Sequence, residues 1–130
     1  MKGLNAKAKA VFDKLIEGLD SDNPYRKLDN TNGVFMPVSV DYLFETEHGT
    51  VYAIAHNYTQ NGDLMADPDM QFLVRDDGVY PMTFQQDNLG VFNVGLTIRD
   101  GKLLIAPELQ RDMTEFANLW MSNIKEQQEL

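Results

Sequence analysis

Apolar residues recur at helical spacing at both ends of the chain. The first stripe comprises Leu4, Ala8, Val11, Phe12, Leu15, Ile16 and Leu19. The second comprises Leu109, Met113, Phe116, Ala117, Trp120 and Ile124. Because residues three and four positions apart share one face of an α-helix, the pattern predicts an amphipathic helix at each end. Asn5 is placed to cap the first helix, and Pro107 suits the first turn of the second.

Between these helices the period of the pattern changes to two, which is typical of strands with one buried face. Three hairpins are predicted, with strands at residues 38–45 and 50–59, 70–75 and 79–84, and 94–99 and 102–105. The sequence therefore predicts an α+β fold in a single domain over residues 1–130. Its antiparallel sheet has about four to six strands made of hairpins. An N-terminal and a C-terminal amphipathic helix flank it.

The first hairpin predicts a register. With His48 and Gly49 as the turn, Glu47 pairs with Thr50, and Asp41 then lies opposite His56. The residues expected to share one core are Tyr42, Phe44, Phe72, Phe12, Leu15, Phe116 and Trp120.

Three stretches are expected to lack regular structure. Residues 22–34 form a polar connection. Residues 60–69 combine Asn, Gly, Asp and Pro, which favour turns. The polar residues 125–129 are expected to fray from the end of the last helix.

Composition narrows the classes of function. The chain has 20 acidic and 11 basic residues, for a net charge of −9. This charge disfavours direct binding to nucleic-acid phosphates and suits a protein partner, either a basic protein or the target of a nucleic-acid mimic. Cysteine is absent, which excludes disulfides and thiolate metal sites and favours a cytoplasmic location. No segment resembles a signal peptide or a membrane span.

The candidate functional patch consists of Asp41, His56, Tyr58, Asn61, Asp63 and Asp67. In the predicted register Asp41 could orient His56 as a general base. Asp63, Asp67 and Asp69 could chelate a hard cation, but their spacing does not match a calcium-binding loop. A cross-strand polar pair and acids that bond turn backbone are the simpler interpretation. We therefore predict no catalytic residue, no metal site and no cofactor.

One stretch of the middle has a recognisable pattern, H-x-Y-x-Q-N-G-D-x-x-x-D-P-x-M. Its matching residues are His56, Tyr58, Gln60, Asn61, Gly62, Asp63, Asp67, Pro68 and Met70. The stretch resembles a family of small uncharacterised domains encoded on plasmids, phages and conjugative elements. The resemblance covers about 15–20 residues. It implies a mobile-element context and no particular activity.

Three functions remain open at the level of sequence. The first is a non-enzymatic acidic interaction module or accessory protein of a mobile genetic element, with nucleic-acid mimicry as one form. The second is a metal-dependent or His/Asp-based hydrolase that uses His56, Asp41 and the acids of residues 60–69. The third is a homodimeric structural protein. The first is favoured because the enzyme lacks a recognisable nucleophile and a complete set of metal ligands.

Overall fold

The computed structural model describes all 130 residues, with two helices and eight strands. Helix α1 spans Ala6–Ile16 and helix α2 spans Pro107–Gln127. The strands are β1 (Tyr25–Leu28), β2 (Val38–Thr46), β3 (Gly49–Gln60), β4 (Asp63–Arg75), β5 (Gly78–Gln86), β6 (Val91–Val94), β7 (Leu96–Arg99) and β8 (Lys102–Ile105). Strands β1 to β6 form one antiparallel sheet in chain order, and β7 pairs only with β8. The predicted α+β class is confirmed.

Both helices pack on one face of the large sheet, which we call the helix face. Asn5 caps α1 as predicted, because its side chain accepts the N–H of Ala8 at 2.8 Å. The fully buried ring of Phe12 lies against Phe72 of β4, with ring centroids 5.0 Å apart. The other strand residues of this core are Val38, Val40, Ile54, Met70 and Val79. Burial of such side chains contributes about 1.5–3 kcal/mol each.

The opposite face of the sheet is covered over only part of its area. The β7–β8 hairpin packs Leu96 against Val51, Leu73 and Met82 in a second, smaller core. The remainder, which we call the open face, is covered by neither helix. It presents Ser39, Asp41, Ala53, Ala55, Asn57, Asp69, Gln71, Thr83 and Gln85.

The predicted register of the first hairpin is wrong. Thr46 pairs with Gly49, so Glu47 and His48 are the turn residues. The hydroxyl of Thr46 fixes this turn by donating to the Gly49 carbonyl (2.9 Å) and accepting the His48 N–H (3.0 Å). Gly49 is required because a Cβ there would lie 2.2 Å from the carbonyl oxygen of Val74 on β4.

A β-bulge at Leu43 then shifts the pairing by one further residue. Asp41 therefore pairs with Ala53, and His56 pairs with Val38. Because side chains alternate between faces, Asp41 lies on the open face and His56 on the helix face. Phe44 pairs with Val51, away from the helices, and is 50% exposed. Its predicted place in the core is wrong for the same reason.

Residues 60–69 are not the irregular loop that their composition predicted. Only Asn61 and Gly62 form the turn, with φ of 52° and 85°, and the flanking strands pair up to it. A β-bulge at Asp67 and Pro68 lets β4 continue, so that Asn57 pairs with Ala66 and Ala55 with Asp69. Long strands override local turn propensity here because both sides of the hairpin satisfy their backbone groups.

Three further predictions are wrong. The polar connection 22–34 contains β1, which pairs with β2. The tail does not fray, because Gln128 is fully buried, accepts the N–H of Asn30 at 2.8 Å and donates to the Met36 carbonyl at 3.3 Å. Phe116 is 38% exposed, because it lies at the margin of the core beside Phe84. Neither helix is long and apolar enough to cross a membrane.

Candidate functional site

The six residues of the candidate patch lie in three separate places. His56, Tyr58 and Asp67 gather near the far end of β3. Asp41 lies on the open face of the sheet. Asn61 and Asp63 lie at the exposed tip of the β3–β4 hairpin. The six residues therefore do not form one patch, because Asp41, Asn61 and Asp63 lie apart from the other three.

The imidazole of His56 is held by helix α2. It is 5% exposed, and its Nδ1 accepts a hydrogen bond from the indole Nε1–H of Trp120 at 3.0 Å. The two rings meet edge to face, with centroids 5.4 Å apart. Because an indole N–H can only donate, Nδ1 carries no proton, and the neutral imidazole has its proton on Nε2. Trp120 thus fixes both the orientation and the tautomer of His56.

Two buried polar atoms near this contact have no hydrogen-bond partner in the protein: Nε2 of His56 and the hydroxyl oxygen of Tyr58. Burial lowers the pKa of His56, although the nearby carboxylate of Asp67 acts in the opposite direction. Burial, Asp67 and Asp87 together raise the pKa of Tyr58. Both groups are therefore neutral near pH 7. Each can donate a hydrogen bond to a neutral acceptor such as a buried water.

The acids around this cluster link two strand ends. Asp67 accepts the side-chain amide of Gln86 at 3.1 Å. Asp87 accepts the N–H of Ala66 at 2.8 Å and the amide of Gln85 at 2.7 Å. These bonds join β4 to β5 and give both carboxylates a structural role. No three His, Asp or Glu side chains converge as metal ligands would.

A second group of polar residues lies on the open face. Asp69 of β4 and Asp41 of β2 flank β3, which presents the small side chains of Ala53 and Ala55 between them. Burial, followed by the charges of Asp87 and Asp41, raises the pKa of Asp69. Burial likewise raises the pKa of Asp41. The sequence indicated Asp69 only as a loop acid that could bind a cation, because residues 60–69 were interpreted as a loop, where alternation between faces has no meaning.

The net charge is confined to one part of the chain. Residues 28–98, which include β2 to β6, contain ten acidic residues and a single cation, Arg75. The other residues contain ten acidic and ten basic residues, which cancel. Helix α1 has three Lys and one Asp, and α2 has two cations and four acids, so the two helices together are neutral. The net charge of −9 therefore resides in residues 28–98.

Two depressions of the surface contain at most one residue of the candidate patch. One, of about 540 Å³, lies between the β2–β3 and β4–β5 turns and is lined by Glu47, His48 and Asp76. The other, of about 490 Å³, lies beside β1, and of the six candidate residues only Tyr58 lines it. His56 lines neither depression.

The chain was compared with protein families, curated proteins and solved structures. The model of one family, described as a domain of unknown function (DUF6908), matches residues 9–130. No match was found among curated proteins or among solved structures. The family match agrees with the resemblance to an uncharacterised small domain, and it carries no activity or partner. Because the match spans nearly the whole chain, the protein belongs to the family described as a domain of unknown function (DUF6908).

Proposed function

We propose that this protein is a non-enzymatic interaction module that binds a basic protein partner through its acidic sheet. The observation that supports this most is the confinement of the net charge of −9 to residues 28–98. A surface of one sign attracts partners of the opposite sign and speeds their encounter. The same charge repels nucleic-acid phosphates, so the partner is a protein and not DNA or RNA.

The open face adds a second argument. Asp69 and Asp41 are held on the sheet with raised pKa values, mainly because of burial. A raised pKa means that folding disfavours the charged carboxylate at neutral pH, so folding stability does not account for these acids. A role in recognition accounts for it, since a cationic side chain would compensate the buried charge.

The resemblance of the His56–Met70 stretch suggests the setting. We propose that the protein acts in the cytoplasm as an accessory protein of a plasmid, phage or conjugative element. One specific form is nucleic-acid mimicry, in which carboxylates of the sheet occupy the phosphate-binding surface of a DNA-binding protein. This form predicts that added duplex DNA displaces the partner.

The positions of Asp41 and His56 do not support the hydrolase alternative. Asp41 and His56 lie on opposite faces of the sheet, and the only side chain that hydrogen-bonds His56 is Trp120. A general base needs both an orienting group and a reacting group within reach. We therefore do not propose an enzymatic role.

The proposal is tested by capture of partners from the native host with two matched quadruple variants, followed by mass spectrometry. Both variants replace four exposed acids by amides, so both change the net charge equally. The sheet variant changes Glu45, Glu47, Asp63 and Asp76, and the control changes Glu17, Asp22, Glu126 and Glu129. We expect the partner to be lost by the sheet variant and kept by the control. Equal capture by both would refute the proposal.

A further inference from the structure

Strand β6 is a free edge of the large sheet. It pairs with β5 on one side, and no strand pairs with its other side. The other edge strand, β1, is flanked by the chain segment 29–37. A free edge presents unpaired backbone groups, and an extended peptide can add to them as a further strand.

The register shows which backbone groups are free. Gly95 donates to the Met82 carbonyl at 2.8 Å, so these two residues form a hydrogen-bonded pair. In an antiparallel ladder such pairs alternate with non-hydrogen-bonded pairs. Val94 and Phe92, which pair with Thr83 and Gln85, belong to the second kind. Their N–H and C=O groups therefore point away from β5, and together they offer two donors and two acceptors.

The side chains beside these groups suit an apolar strand. Phe92 and Val94 lie on the open face, where they are 59% and 41% exposed. On the helix face, a cavity of about 160 Å³ lies next to Asn93. Its lining residues are Phe84, Asn93, Leu109, Asp112, Met113 and Phe116. This volume is well below the ~300 Å³ from which small-molecule sites begin, and it suits a single side chain.

The charges near this edge indicate what kind of strand would bind. Asp87 precedes β6, residues 78–98 contain no Lys or Arg, and Asp112 lines the cavity one helical turn after the exposed Glu108 of α2. A second copy of the chain would bring the same acids and a net charge of −9 to the interface. Like charges at close range disfavour such a dimer, whereas lysine or arginine residues would be favoured.

We infer that the β6 edge is a strand-addition site for an extended segment of a partner protein, with apolar residues at alternating positions and Lys or Arg at its flanks. This inference rests on the proposed function and names the partner chemistry more closely. The backbone of the segment bonds Phe92 and Val94. One of its apolar side chains enters the cavity beside Phe116, and its neighbours contact Phe92 and Val94 on the open face. Its cations lie near Asp112 and Glu108.

The first test uses a displayed library of random peptides of about six to ten residues, the usual length of a strand. Peptides selected on the unmodified chain should combine alternating apolar residues with Lys or Arg. Amide hydrogen exchange of the chain should then slow at Phe92 and Val94 when a selected peptide is added. Selection of no peptide, or binding that leaves both amides in fast exchange, would overturn the inference. Self-association through the same two amides would also overturn it.

The second test uses Val94→Pro, with Val94→Thr as its control. Proline removes the outward N–H of residue 94, which does not bond β5, and is tolerated on edge strands. Val94→Pro should weaken the selected peptides about tenfold or more, and Val94→Thr should not, because it keeps the N–H. The exchange rate of the Asn93 amide, which bonds β5, shows whether the sheet remains intact. If this exchange becomes faster, Val94→Pro has disturbed the sheet. Phe92→Thr is then used instead, and the loss of its apolar contact should weaken peptide binding.

The failure of this inference can be separated from the failure of the proposed function. Val94→Pro leaves every charge unchanged. If it keeps the partner that the sheet variant of four amides loses, the acidic interaction stands and the β6 site is wrong. If both variants keep the partner, both proposals are wrong.

Discussion

The indole N–H of Trp120 and Nδ1 of His56 form a buried hydrogen bond of 3.0 Å that joins helix α2 to strand β3. The residues are 64 positions apart in the sequence. No periodicity or turn signal relates them, so their contact could not be predicted from the pattern of residues. The bond explains why His56, which was considered as a general base, is instead part of the core.

The Trp120–His56 bond predicts a loss of stability at mildly acidic pH. Burial lowers the pKa of His56 below the ordinary value of 6.5. Between the two values the unfolded chain binds more protons, so the stability is complete above pH 6.5 and declines as the pH falls toward the folded-state pKa. Urea unfolding at pH 7.5 and pH 5.5 checks this, with His56→Gln as the reference without the titration. An equal decline in both proteins would contradict the assignment.

Trp120 is the only tryptophan, so the fluorescence of the unmodified protein reports on its contact with His56. Trp120→Phe keeps an aromatic ring but leaves Nδ1 of His56 buried without a partner. We expect a cost of about 1–3 kcal/mol from the unsatisfied acceptor, measured by urea unfolding at pH 7.5. Leu119→Ala, at a neighbouring residue that is 63% exposed, should change stability by less than about 0.5 kcal/mol. Similar costs for both variants would show that the hydrogen bond contributes nothing.

Most elements of the fold, although not β1 and β6, were predictable because they depend on local patterns. Both helices follow from stripes that include Phe12 and Met113, and the β7–β8 hairpin follows from Asp100 and Gly101. The register of the first hairpin was not predictable. It depends on the hydroxyl of Thr46 and on the close approach of Val74 to Gly49, and neither is visible in the alternation of residues.

The candidate site depended on that register, and therefore only part of it was predictable. Asp67 lies near both His56 and Tyr58, which belong to the same predicted strand. The bulge at Leu43 moved Asp41 to the other face. The place of Asp69 on the open face became visible only when residues 60–69 proved to be paired strands. Features that arise from long-range pairing cannot be read from a pattern of two or three neighbouring residues.

The raised pKa of Asp69 predicts that an amide in place of its carboxylate stabilises the protein at neutral pH. Burial, Asp87 and Asp41 raise its pKa above the ordinary value of 3.8. Its contribution is therefore most favourable below pH 3.8, and it is lost as the pH rises through the folded-state pKa. At pH 7, Asp69→Asn should raise the urea midpoint, and at pH 3 the gain should vanish. A midpoint that falls at pH 7 would mean that the carboxylate has a stabilising partner.

The side chain of Gln128, which directly follows α2, holds the segment before β2 against the end of that helix. Its side chain is fully buried, accepts the Asn30 N–H and donates to the Met36 carbonyl. Gln128→Ala leaves both groups without this partner, so a cost of about 1–3 kcal/mol is expected. Amide exchange at Asn30 should accelerate as well. The exposed neighbour Glu129 serves as the control, since Glu129→Gln should leave both measurements unchanged.

The close approach of α2 to Gly95, between β6 and β7, leaves no room for a side chain at this position. A Cβ at this position would lie 2.9 Å from Cα of Gln110 and 2.9 Å from Sδ of Met113, both on α2. The helix backbone cannot withdraw there, because the buried amide of Gln110 accepts the Lys2 N–H (2.7 Å) and donates to the Lys2 carbonyl (2.8 Å). Gly95→Ala should therefore cost about 1–3 kcal/mol through overpacking.

A second substitution, at Met113, tests whether steric contact causes the overpacking. Met113 is flexible, and Met113→Ala would vacate the space occupied by its Sδ atom. If steric contact is the cause, the double variant Gly95→Ala with Met113→Ala should lose less stability than the two single changes added together. Thermal unfolding of the four proteins in this cycle measures the coupling. Strict additivity would show that Met113 does not set the packing limit, and the contact with Cα of Gln110 would then be its cause.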